Sequence, residues 1–140
     1  MVVSSRSRRS PPAEVLFQTA SLELTTAAGA SLVLRAELAD TAARRTRGLM
    51  FRPSLGEEEG MLFLFPRDTT GGFWMQDTLV PLSIAFIDWD GRIMEILDME
   101  PLTTAVHRPA QPYRWAVEVN QGWYEARGVA AGDIVRLRGS

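Results

Sequence analysis

Residues 60–87 read GMLFLFPRDTTGGFWMQDTLVPLSIAFI, and they carry most of the chain's large apolar side chains. Gly60–Phe65 is apolar on both faces, the pattern of a strand covered above and below. Phe73–Thr78 (FWMQDT) reads as a second short strand or extended segment. Pro81 holds Val80 extended, and Leu82–Asp88 (LSIAFID) reads as a third strand. Asp90-Gly91 between apolar runs is a hairpin signal, so Arg92–Met99 is the returning strand.

Outward from this stretch the pattern stays β-rich. Val15–Leu24 reads as a strand, and Thr25–Ala30 as a turn. Ser31–Leu38 is a strand with Leu32, Leu34, Ala36 and Leu38 on one face at period two. The two make a hairpin with Val33, Arg35 and Glu37 facing out. Asp40 or Thr41 caps a short helix over Ala42–Arg47. Gly48 ends it, and Arg44, Arg45 and Arg47 in its last turn offset the helix dipole. Arg52-Pro53 bends the chain. Ser54–Glu59 (SLGEEE) lacks the alternating oxygen ligands of a calcium loop. Glu100–Pro112 is an irregular loop holding the sole histidine, His107. Tyr113–Val119 is a strand, Asn120 an N-cap for a second helix over Gln121–Arg127 before Gly128, and Ile134–Arg138 a last strand. Seven or eight short strands and two short helices give a mainly β, α+β fold, expected as a closed or half-closed antiparallel barrel. Residues 1–12, rich in serine, arginine and proline, are expected to be a disordered leader, and residues 13–140 a single domain.

With 140 residues and a net charge of −2, the chain has no basic footprint for nucleic acid. All fifteen basic residues are arginine; there is no lysine and no cysteine. Disulfides, thiolate metal sites and thiol nucleophiles are therefore excluded. Apolar runs fall short of the ~20 residues of a membrane helix, so no transmembrane segment is expected. Arg6, Arg8 and Arg9 are not followed by an apolar h-region. On this chain alone the expected location is the cytoplasm, and an exported one if a signal has been trimmed.

General acid–base chemistry needs paired titratable groups. Asp77, Asp88, Asp90, Asp98, Glu118 and Asp133 are the candidates. Asp90 and Asp133 sit in glycine turns, where backbone hydrogen bonding explains them. Asp77 and Glu118 interrupt apolar strands, where a carboxylate must be paired or partly solvated. By alternation Asp77 shares a face with Phe73 and Met75. Pairing with rim arginines is the structural reading of both. His107 has no companions for a triad or a metal site, and GxSxG, GxGxxG, phosphate-loop and HExxH patterns are missing. Trp74, Trp115, Trp123, Phe73 and Tyr124 could stack on a ligand, though such residues are more often core, and at least two of the tryptophans are expected there.

From Arg47 the residues RGLMFR, then GMLFLF from Gly60, then FWMQDTLVPLSIAFIDWDG from Phe73 resemble the bacterial and archaeal family called domain of unknown function 192. Met99-Glu100-Pro101, Tyr113, Glu118–Gly122 (EVNQG) and Gly132-Asp133 continue the resemblance, which spans about Leu32–Leu137. It implies a small β-rich domain with two short helices and brings no reaction, cofactor or catalytic residue; many members look exported. The family usually shows lysine and asparagine where this chain has Gln76 and Asp77, and aspartate where it has Ser83. One explanation is that the acid has moved from 83 to 77.

The leading expectation is a non-catalytic domain that binds a small or extended ligand, an unidentified small molecule or peptide, without cofactor or metal. Arg47, Met50, Arg52, Phe73, Trp74, Met75, Asp77, Thr78 and Glu118 are its candidate site, because polar groups interleave with aromatics there. One alternative is a hydrolase or lyase using Asp77 and Glu118. Another is a protein-interaction module with exposed aromatics. A monomer or weak dimer is expected.

Overall fold

A computed structural model describes residues 1–3 and 15–138. Most of the expected leader, at 4–12, lies outside the described residues. Seven strands form one sheet: β1 (Thr19–Thr25), β2 (Ser31–Ala39), β3 (Glu59–Thr69), β4 (Leu82–Ile87), β5 (Ile93–Met99), β6 (Tyr113–Asn120) and β7 (Ile134–Arg138). Their order across the sheet is β5-β4-β6-β3-β2-β1-β7. Two short helices complete the fold, α1 (Ala42–Arg47) and α2 (Trp123–Ala126).

The sheet is mainly antiparallel, but β2 and β3 run parallel. A parallel pair needs a crossover, and α1 with the loop after it supplies one. The sheet does not close. Its ends approach at one bridge, Arg92↔Ile134, beside Ile93 N–H to Asp133 O, Gly132 N–H to Ile93 O and Val135 N–H to Gly91 O. It is a half-closed barrel.

Local signals explain most elements. Thr41 accepts from the Arg44 amide and caps α1, and Gly48 follows the last turn. Gly91, at φ 85°, makes the β4–β5 turn, but the side chain that ties it is Asp88, which accepts from the Asp90 and Arg92 amides. Asp133 accepts from Ala27 and Ala130, joining the β1–β2 turn to the start of β7. The α2 N-cap is Gly122 and not Asn120. Asn120 instead donates to the Leu55 and Gly56 carbonyls, and with Trp123 Nε1 on Glu57 O it pins the acidic loop by its backbone.

Each face of the sheet buries a core. One holds Leu22, Leu34, Leu62, Val117, Val119, Trp123 and Tyr124 under α2. Of the tryptophans only Trp123 is buried; Trp74 and Trp115 are half-buried. The other core holds Met61, Phe63, Phe73, Met75, Ile84, Phe86, Tyr113 and Met1. Phe73 lies edge-on to Phe63 at 4.9 Å and Phe86 lies edge-on to Tyr113 at 4.9 Å. Glu118 sits in the middle of this sheet, opposite Met61 on β3 and Ile84 on β4. Its face is set by alternation: Val117 and Val119 belong to the α2 core, so Glu118 and Ala116 point to the other.

Candidate binding cleft

Glu118 is fully buried, and neither carboxylate oxygen has a hydrogen-bond partner. An uncompensated buried carboxylate is costly, and the group facing it is the ammonium of Met1, 3.7 Å away. That is an ion-pair distance, longer than a hydrogen bond. Burial pushes the Glu118 carboxyl up from its ordinary 4.5, an effect the Met1 charge partly offsets. Burial likewise pulls the Met1 amine down from 8.0, and Glu118 partly restores it. Tyr124, behind Glu118 with its hydroxyl donating to Val117 O, is raised by burial and then by the Glu118 charge.

Met1–Val3 lie in a cleft between α1 and the 72–74 segment. The Met1 ammonium donates to Trp74 O at 2.8 Å. Trp74 N–H returns a bond to Met1 O, Val3 N–H reaches Gly72 O, and Val2 N–H turns the other way to Arg45 O. Val2 pairs antiparallel with Phe73, which pairs in turn with His107. The three segments are a small ribbon laid over the core. Phe73–Thr78, expected as a strand, is thus one ribbon position followed by a turn at Gln76–Asp77. The Met1 side chain fills a hole that exists because residue 48 is glycine: a Cβ there would lie 2.1 Å from Met1 Cγ.

The rim is built from unusual backbone. Phe51, Asp77 and Leu102 are the non-glycine residues with positive φ among the described residues, at 67°, 54° and 64°. All three meet at one segment. Phe51 N–H bonds Asp77 O, Leu102 N–H bonds Thr78 O, and Met75 N–H bonds Thr103 O. Left-handed φ at bulky residues is uncommon, and such conformations gather at ligand clamps and switches. Phe51, Leu79 and Leu102 are exposed here.

The expected site residues divide. Met50, Phe73 and Met75 pack with Met1 in one apolar cluster, Trp74 supplies main-chain pairing, and Glu118 forms the floor. Thr78 is buried, with its hydroxyl donating to Gln76 O. Arg47 stacks on Phe51, 5.0 Å from the ring. Arg52 turns to Glu37, which it binds through both terminal nitrogens, the NH2 bond at 2.9 Å, and lies over Phe17. Asp77 is exposed in a left-handed turn, not inward beside Phe73 and Met75 as strand alternation implies. Ser83 is buried, donating to Asp98 across the β4–β5 pair and accepting from the Gly122 amide. Met1–Val3 were not legible as site residues, because a polar arginine-serine stretch follows them at once; Gly48 was legible only as a helix end. Among the described residues, no three histidine or acidic side chains converge to hold a metal, and no helix is long and apolar enough to cross a membrane.

No curated protein matches the chain. A solved structure from Sinorhizobium meliloti 1021, described as a "putative transcription regulator", is 32% identical with a TM-score of 0.86, over 89% of this chain and 98% of the other. A protein of unknown function from Novosphingobium aromaticivorans DSM 12444 is 34% identical with a TM-score of 0.82, over 96% and 99%. The sequence profile of DUF192, described as "Uncharacterized ACR", matches residues 23–137, and the chain therefore belongs to the DUF192 family.

Proposed function

We propose that this domain is a non-catalytic binding module whose cleft, between α1 and the 72–74 segment, takes an extended ligand by main-chain pairing. The observation that carries the reading is the mode in which Met1–Val3 are held: alternating hydrogen bonds to Gly72, Trp74 and Arg45 over an apolar floor. Strand addition of this kind uses the backbone for affinity and a pocket for selectivity. A hydrolytic pair of Asp77 and Glu118 is less favoured, because one is exposed in a turn and the other fully buried. Direct contact with DNA has no support in a chain of net charge −2.

The test is a thermal-shift and amide-NMR titration of the full chain with short peptides, sugars and carboxylates. A ligand at a hundred times its dissociation constant adds about 2.7 kcal/mol and raises the midpoint by several degrees. Shifts should concentrate at Arg45–Gly48 and Gly72–Met75. A saturating series that leaves these amides unmoved would refute the reading.

A further inference from the structure

We infer that the floor of the cleft is a receptor for a terminal ammonium: the ligand it fits is the free amino end of an extended peptide with an apolar first side chain, and Met1–Val3 sit in that ligand's place. This deepens the binding-module reading and rests on it. Three features converge. Glu118 is fully buried in the sheet with both oxygens lacking hydrogen-bond partners, and it faces the Met1 ammonium at 3.7 Å. A buried carboxylate so placed selects a cation and rejects a neutral end. The antiparallel pairing with 72–74 then fixes the direction of the chain: its amino end must lie at Trp74 O, above Glu118. Finally, the hole left by the missing side chain at Gly48 is filled by Met1, whose Cγ, Sδ and Cβ lie within 2.8 Å of where a Cβ would stand. The first residue of the ligand is thus read twice, by charge at its nitrogen and by shape at its side chain.

The sequence sharpens the point. The chain contains no lysine, so none of its own side chains can present a primary ammonium to Glu118. Trp74, whose main-chain oxygen receives the ammonium, also has its indole Nε1 buried without a hydrogen-bond partner.

The same lack of lysine makes a selective experiment available. Acetylating the full chain at the α-amine of Met1 removes the occupant's charge without substituting any residue. The acetylated protein is then titrated by amide NMR with Met-Val-Val-amide, its Nα-acetyl form, and Nα-acetyl-Lys-Val-Val-amide, each to about 10 mM, because a tethered competitor acts at millimolar effective concentration. The expected result is that the free-amine peptide shifts the Gly72–Trp74 amides and binds at least tenfold more tightly than its acetyl form. That preference should vanish in Glu118→Gln; should this variant not fold, Gly48→Ala, which closes the side-chain hole, should lose the free-amine peptide. Equal affinity of the free and acetyl peptides would overturn the ammonium receptor and leave the binding module standing. A lysine peptide that matches the free-amine peptide would overturn the assignment to a chain end. Binding by none of the three would overturn both readings.

Discussion

Gly48→Ala is the sharpest perturbation of the cleft that leaves its charges in place. A Cβ at residue 48 would meet Met1 Cγ at 2.1 Å, Sδ at 2.7 Å and Cβ at 2.8 Å, and these are its three nearest atoms. All three belong to the Met1 side chain, so that side chain is what must shift from its hole. Fully burying a methionine is worth about 1.5–3 kcal/mol, and the equilibrium between seated and released Met1 should move by that much. The φ of 49° and ψ of −133° at Gly48 lie outside the left-handed helical well, in a region that favours glycine, and add strain of about 1–3 kcal/mol for an alanine, which acts on the whole fold. The two effects separate in a labelling assay. With no lysine in the chain, an amine-reactive ester followed by intact-mass detection reports on Met1 alone. Opening that is fast relative to labelling makes the rate follow the released population, and each 1.4 kcal/mol is tenfold, so labelling should quicken about ten- to a hundredfold. Gly29→Ala is the control: φ is 86° there and nothing lies within 4 Å of the added Cβ. It should lower the melting temperature by a few degrees and leave labelling unchanged. A folded Gly48→Ala protein labelled at the parental rate would refute the seating of Met1.

Glu118→Gln should change how stability varies with pH. The Glu118 carboxyl is raised by burial, so the folded state holds its proton more tightly than the unfolded chain. Its contribution is full below 4.5 and is lost as pH climbs towards the raised value. The Met1 amine is lowered by burial, so its contribution grows as pH climbs towards 8.0. The variant keeps only the second trend, and urea unfolding from pH 4 to 7 should show the parent losing stability relative to it; parallel curves would refute the burial of an ionisable group. At residue 77 the backbone, not the charge, is the requirement: φ is 54° and asparagine and aspartate tolerate that region best. Asp77→Asn should be neutral within about 0.5 kcal/mol, and Asp77→Val should cost about 1–2 kcal/mol, both read by urea denaturation.

The left-handed turn at Asp77 shows the limit of reading the chain by period. Alternation placed Asp77 inward because FWMQDT looks like a strand, but the ribbon ends after Phe73 and the chain turns. Where the signal was local it was sufficient. Thr41 and Gly48 bracket α1, Leu34 and Ala36 share the inward face of β2, and Gly91 makes its turn. Pairing partners were not legible, because period two says which face a residue takes and not which strand lies beside it; the parallel β2–β3 contact depends on the crossover as a whole. Strand β3 also runs on through Pro66, beyond the apolar run Gly60–Phe65, because the register with β6 breaks between Leu64 and Thr69, where proline is tolerated. Glu118 stood out as a charge inside WAVEV. Its counterpart did not, since nothing in the composition of the first residues marks a segment that packs into a core.

The order of strands carries a consequence for how the domain is made. β1, near the start of the chain, has β2 on one side and β7 on the other. During synthesis the β1–β2 hairpin emerges early, yet the outer edge of β1 has no partner until β7, the last strand, has been translated. At about 5–20 residues per second that edge stays open for several seconds, and unpaired edges template aggregation. Contacts this distant in sequence also slow folding itself. Deleting β7 should therefore do more than shorten the sheet: it would make the vulnerable stage of synthesis permanent.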